Sequence, residues 1–236
     1  MPKYRIAEML IEIDVRYEQT LHAFRDYLVE TDETPDFRVS VGEEELVEAQ
    51  SENPNASPSY AERFAIFRHV VNEAAKHGVI LLHAAVVEVD GAAYAFSAPS
   101  GTGKSTHIRL WRKCFGARVG IINGDKPFLR LKDGVLTAYG SPFCGKEGWQ
   151  KNTSAPLRGL CFLSRAETNS ITEMKGEELL PRIFAQMLKP PSAEGVSETL
   201  RFADLLLKEV PVYHLQCNML PEAAELSFRK MTGLDV

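Results

Sequence analysis

The sequence predicts an α/β protein with a mixed, partly antiparallel sheet, preceded by a small α+β extension. Three observations predict it. A strand-like run at residues 92–96 feeds the stretch Ser97-Ala98-Pro99-Ser100-Gly101-Thr102-Gly103-Lys104-Ser105-Thr106, and a helix-like run leaves it. Asp90-Gly91 separates that strand from a strand-like run at 79–89, a two-residue hairpin signal. A second Asp-Gly pair, Asp133-Gly134, joins the strand-like runs 128–132 and 135–139. The strand entering the glycine loop therefore comes from an antiparallel neighbour and not from a helical crossover.

The 236 residues hold material for one large core or two small ones. With 27 Lys and Arg against 32 Asp and Glu, the net charge of −5 argues against nucleic acid or an anionic membrane surface as partner. Any anion site must therefore be locally basic. No apolar run reaches the ~20 residues of a membrane span, and the first residues lead into no signal-like segment. Cys114, Cys144, Cys161 and Cys217 are widely spaced without C-x-x-C pairs, as expected of reduced thiols and not of a disulfide frame or zinc site. The expected location is cytoplasmic.

Taken in order, residues 6–15 alternate imperfectly and read as one strand, and residues 18–28 have helical spacing. Residues 37–41 form a short strand before the acidic Glu43-Glu44-Glu45. Residues 51–58 read as a loop, which separates an extension, 1–57, from the main domain, 58–236. From 59 to 77, Phe64, Ile66, Phe67, Val70, Val71 and Ala74 line one side of a helix that Gly78 closes. After the loop, Ile108, Leu110, Trp111, Cys114 and Phe115 make the buried side of a helix ending near Gly116. A strand at 118–123 then rises into Gly124-Asp125-Lys126-Pro127. Residues 156–164 read as a buried strand, and 178–188 and 197–208 as helices. Residues 210–215 read as an edge strand because of Pro211, and 221–231 as a closing helix with Pro in its first turn. No internal repeat is visible.

Strand, glycine-containing loop, Lys-Ser, helix is the order that a phosphate-cradling loop requires. The glycines let backbone N–H groups turn towards an anion, and the helix start adds unpaired donors and its positive dipole end. Ser100, Gly101, Thr102, Gly103, Lys104, Ser105 and Thr106 are the expected nucleotide contacts, with Lys104 on the outer phosphates of ATP and the Ser105 hydroxyl on Mg²⁺. Ala98 stands where G-x-x-x-x-G-K-[ST] has its first glycine.

Paired positions around Asp90-Gly91 place His83 beside Ala98, and those around Asp133-Gly134 bring Asp125 near Pro142. Asp125, at a strand end after the loop helix, is expected to bind the metal or act in catalysis. His83 either tunes Asp125 or takes a proton from an attacking hydroxyl. Lys146 either stabilises charge on a transferred phosphoryl group or is a solvated loop lysine. Arg165 and Arg182 are weaker candidates, and His107, just past the loop, either faces the nucleotide or, the default reading, lies on the helix surface.

Leu82-His83-Ala84, the Asp90-Gly91 hairpin, the loop at 100–106 and the strand ending at Asp125 together resemble the catalytic domain of HPr kinase/phosphorylase. That resemblance implies a P-loop core similar to phosphoenolpyruvate carboxykinase. It is good over residues 79–132, weaker to about 182 and absent from the first third. It implies an ATP- and Mg-dependent kinase that transfers phosphate to a hydroxyl, a serine of a protein or peptide. In that family the strand after the loop helix ends in two adjacent aspartates. Here Asn123-Gly124-Asp125 keeps only the second, while the family's histidine on the preceding hairpin matches His83. The chain is similar to the smaller HPr-kinase-like proteins, some of which are thought to modify serines of other targets, including ribosomally made peptides. The same loop also suits a nucleotide-binding regulator without turnover, or a carboxykinase-like lyase with several arginines around a dicarboxylate. Expected partners are a nucleotide and a hydroxyl acceptor, in a chain compatible with a homo-oligomer.

Overall fold

A computed structural model describes residues 1–235. The chain begins by doubling back where the alternation predicts one strand. β1 (Lys3–Ile6) and β2 (Met9–Ile13) pair antiparallel, and both turn residues, Ala7 and Glu8, take positive φ, 49° and 68°. Neither is a turn-forming type, so nothing in the sequence announces the reversal. The strained turn is held by the second hairpin: Arg130 donates to the Ala7 carbonyl at 2.8 Å, and Tyr139 to the Glu8 carboxylate at 3.0 Å.

α1 (Glu18–Phe24) follows, then β3 (Leu28–Val29) and β4 (Phe37–Val39), which complete a four-stranded sheet in the order β3-β1-β2-β4. The acidic run Glu43-Glu44-Glu45 opens a helix, α2 (Glu43–Glu52), that the sequence does not announce. Glu45 accepts the Gly42 N–H at 2.8 Å, and three carboxylates in the first turn complement the helix dipole. α3 (Pro58–Ala74) starts on a Ser57 cap with Pro in its first turn, and a short 3₁₀ extension ends at Gly78 with φ 67°. One face of α3, including Ile66, Val70 and Ala74, is buried with Tyr4 and Ile11 of the small sheet and Phe24 of α1. The same apolar cluster continues through Val79, Leu81, Phe128 and Phe143.

The strand-like run 79–89 is broken in two. β5 (Val79–Leu81) pairs with β9 (Phe128–Lys132), whereas β6 (Ala85–Val89) pairs with β7 (Ala92–Ser97) and with β8 (Val119–Asn123). Leu82-His83-Ala84 is the crossing between them. The remaining strands are β10 (Val135–Tyr139), β11 (Ser154–Arg165), β12 (Ser170–Glu173) and β13 (Val212–Cys217). Both Asp-Gly turns have positive φ at each residue, and both hairpin registers are as expected, with Val89 opposite Ala92 and Lys132 opposite Val135.

The large sheet runs β5-β9-β10-β11-β7-β6-β8. β13 lies parallel to β11 and antiparallel to β12. β13 is thus an interior strand and not the expected edge: Pro211 precedes it, so the missing N–H falls outside the ladder.

Alternation along β7 sends Ala93 and Ala95 to one face and Tyr94 and Phe96 to the other. The first face is covered by α5 (Leu179–Phe184), shorter than the helix expected at 178–188, and by α6 (Ala193–Glu209). The second is covered by α4 (Lys104–Phe115) and α7 (Pro221–Thr232), where Ile108, Trp111 and Phe228 pack on Phe96. The result is a mixed α/β fold with helices on both sheet faces. Among the described residues, no helix is long and apolar enough to cross a membrane.

Candidate active site

The topology gathers the site at one edge. β7 and β8 both run antiparallel to β6, so their carboxyl ends leave the sheet together where β6 begins. Ala98 follows β7, Asp125 follows β8, and His83 lies just before β6. The ladder itself stops at Ala85 opposite Phe96. His83 nevertheless reaches the expected neighbourhood: its carbonyl accepts from Ser97 Oγ at 2.8 Å, and its backbone N–H donates to the Gln186 carbonyl at 2.7 Å.

Between β7 and α4 the loop turns at Gly101 (φ 78°) and Gly103 (φ 131°), conformations that side-chain-bearing residues rarely adopt. Among the described residues, no acceptor takes the backbone N–H of Gly101, Gly103, Lys104, Ser105 or Thr106, and α4 has no side-chain cap. The loop's carbonyls are tied back instead. Arg165, at the end of β11, donates to Gly101 O at 2.5 Å and Thr102 O at 3.2 Å. β11 lies parallel to β7 with Phe162 opposite Ser97, which carries Arg165 to the loop. Arg165 is therefore a brace on the loop's backbone.

Lys104 is buried and folds back, donating to the Ala98 carbonyl at 2.8 Å with its Nζ 3.1 Å from His83 Nε2. Burial lowers its pKa, against the opposing pull of Asp125. His83 Nε2 is also 3.4 Å from Asp125 Oδ1, and Lys126 Nζ is 2.5 Å from Asp125 Oδ2. Burial alone would raise the Asp125 pKa, but the neighbouring His83 and the hydrogen bond from Lys126 outweigh it and hold the carboxyl well below the usual range. Lys104, His83 and Asp125 thus form one connected chain.

Asn123 is the residue that the sequence reading misses. It is fully buried at the end of β8, and its Oδ1 accepts the backbone N–H groups of Asp125 (2.8 Å) and Lys126 (2.7 Å). Its Nδ2 donates to the carbonyls of Ser141 (3.1 Å) and Phe143 (3.2 Å). One amide therefore shapes the Asp125 turn and ties it to the 140–148 loop. Gly124 beside it donates its N–H to the Trp149 carbonyl, and a Cβ there would stand 3.3 Å from Trp149 Cβ. That close approach leaves little room for a side chain at position 124.

The other candidates separate. Lys146 is exposed but lines the same cavity as Asp125. Arg182 stacks on the Phe162 ring at 4.5 Å. His107 is not on the surface: it is 2% exposed, edge-on to Phe96, with Nε2 2.9 Å from Ser227 Oγ. Its Nδ1 has no partner, so the ring's one proton is best placed on Nε2, donated to Ser227.

Burial lowers the His107 pKa to about 4. Between pH 6.5 and 4 the unfolded chain binds a proton that the native chain refuses, so stability falls with pH, by about 3 kcal/mol across that window. His214, also lowered by burial, adds to the same slope. Urea titrations from pH 6.5 to 4.5 should register this fall, and His107→Gln should flatten it; an unchanged slope would place His107 in contact with water.

Two cavities flank the site. One, of about 450 Å³, is lined by the loop glycines together with Thr106, Leu110, Leu163, Arg165 and Met219. The other, of about 480 Å³, lies between α3 and the 140–148 loop, with Asp125 in its wall. Both fall within the usual size of small-ligand sites.

Fold and site together define a mixed α/β protein with a strand–glycine loop–helix site beside a chain of buried Lys104 and half-buried His83 and Asp125. No protein-family model matches the sequence, and no curated protein matches it. A solved structure of the Hpr(Ser) kinase/phosphatase from Coxiella burnetii is similar over 55% of this chain and 92% of its own, at 12% identity and a TM-score of 0.29.

Proposed function

We propose that this chain is an ATP- and Mg-dependent phosphotransferase that acts on a hydroxyl group, a serine of a peptide or protein. The observation that carries the reading is the row of unpaired N–H groups at a glycine loop and helix start, set beside the Lys104–His83–Asp125 chain. Such a row is a ready-made site for phosphate oxygens. The cavity of about 450 Å³ at the loop then takes the nucleoside.

Among the described residues, no group of three or more His, Cys, Asp or Glu side chains could hold a metal. Asp125 and Ser105 would supply the one carboxylate and one hydroxyl that Mg²⁺ needs from the protein, because it takes most of its remaining ligands from phosphates and water. When bound, it neutralises charge on the phosphates. The chain's own groups do the rest. Lys104 leaves the Ala98 carbonyl for the outer phosphates. A single ring nitrogen cannot accept from Lys104 and donate to Asp125 at once, so Lys104's departure frees His83 Nε2 to act on the acceptor hydroxyl. Asp125, held ionised, is a poor proton acceptor and a good partner for a cation, which assigns the proton to His83. A lyase is disfavoured because Arg165 and Arg182 are committed to the loop carbonyls and to Phe162.

Purified protein given γ-labelled ATP, Mg²⁺ and serine-containing peptides should place label on serine. Tight ATP binding with no label on any acceptor would instead assign the regulator role.

A further inference from the structure

The cavity beside Asp125 has a composition of its own. Its α3 wall presents Tyr60, Arg63, Phe64 and Phe67, and its far wall carries Lys126 and Lys146. Tyr60 and Phe64 stack at 6.5 Å with their rings 5° from parallel, and Phe67 continues the row at 6.4 Å. Tyr60 is 43% exposed, so the outer end of this aromatic row is open to solvent.

The charges are uneven. Asp125 is matched by Lys126, but no carboxylate pairs with Arg63 or Lys146 among the described residues, in a protein whose net charge is −5. A half-buried guanidinium without a counter-charge loses solvation that an arriving anion would restore. α3 is also held in place from the small sheet's side. Its buried Glu62 accepts the backbone N–H groups of Arg16 at 2.6 Å and Tyr17 at 3.3 Å, fixing the turn that carries Arg63.

We propose that this cavity is the acceptor site, and that it takes a peptide serine flanked by a carboxylate and an aromatic side chain. The inference rests on the phosphotransferase reading for the serine, but the flanking chemistry follows from the cavity itself. The carboxylate would sit between Arg63 and Lys146, the aromatic ring would extend the stack begun by Tyr60 and Phe64, and the hydroxyl would face Asp125. On this reading the first third of the chain, through the sheet that anchors α3, determines which acceptor is used.

The test is a binding measurement that needs no turnover. Fluorescein-labelled peptides are titrated against the full chain with ADP and Mg²⁺ present. One carries serine between aspartate and phenylalanine, a second has lysine for each aspartate, and a third has alanine for each phenylalanine. The first should bind at least about tenfold more tightly than the other two. Arg63→Ala should remove most of that preference, and Arg63→Lys should restore part of it, with far-UV circular dichroism as the folding control. Lys146→Ala, on an exposed loop, should weaken the acidic peptide independently. Equal binding of the three peptides, or an unaltered preference in both alanine variants, overturns the acceptor site. Label transfer measured in parallel decides the phosphotransferase reading separately, because a peptide can bind selectively without being phosphorylated.

Discussion

Asp125→Asn should lower phosphoryl transfer by on the order of 10³-fold while leaving ADP affinity nearly unchanged. The substitution keeps the size and shape of the side chain and removes its charge. In the native site that charge is strongly favoured: Lys126 hydrogen-bonds to the carboxylate and His83 lies 3.4 Å away, and together they hold its pKa well below the ordinary range despite its burial. An asparagine offers Lys126 and the metal a neutral oxygen only, and its NH₂ can be turned towards an ammonium. The nucleotide's phosphates would still meet the loop amides and Lys104, which is why binding and turnover should part.

The same electrostatics fixes a pH result. The group's pKa is depressed, so Asp125 stays ionised above the unfolded value near 4, and its charge is lost only as pH falls below that. No limb of the rate profile above pH 5 should belong to it. Single-turnover label transfer with saturating ATP checks the rate, and equilibrium titration of ADP checks the binding. Transfer within tenfold of the native rate would remove Asp125 from the chemistry.

What the sequence made legible depended on whether a feature was local. Asp-Gly at 90–91 and 133–134 specifies its turn by backbone preference alone, so strand pairing could be counted outward and placed His83 and Asp125 near their observed neighbours. Ala7-Glu8 makes the same kind of turn without the residues for it, because contacts from Arg130 and Tyr139, far along the chain, stabilise it. The edge reading of 210–215 failed for a related reason: Pro211 lies one residue outside a strand whose neighbours on both sides are set by tertiary pairing. His107 was expected on the surface because a polar residue near a helix start usually is. Ser227, 120 residues away, supplies the partner that lets it be buried. Asn123 left no signal at all, since its importance lies in five partners that only the folded chain brings together.

Asn123→Ala should therefore carry the largest stability loss of any polar substitution near the site, about 3 kcal/mol. The side chain is fully buried and donates to Ser141 Oγ at 3.2 Å as well as to the two loop carbonyls, while accepting from two backbone N–H groups. Alanine strands the Ser141 carbonyl and the N–H groups of Asp125 and Lys126, leaves the Phe143 carbonyl with Ser141 Oγ alone, and opens a void in which water has room for only part of that pattern. For a chain of this size the loss corresponds to a fall in Tm of roughly 10 °C.

Activity should fall with it, through position and not through charge, because Asp125 keeps its carboxylate but loses the turn that aims it. Asn123→Asp separates the two effects. It retains an acceptor for the Asp125 and Lys126 N–H groups, yet sets a carboxylate against two carbonyl oxygens, so it should destabilise at least as much as alanine. Differential scanning fluorimetry and chemical denaturation of the three proteins provide the measurement. A Tm for Asn123→Ala within about 2 °C of the native protein would mean that the 123–126 turn is held by something other than this amide. A normal rate at low temperature despite a large loss of stability would mean that Asp125 needs no such holding.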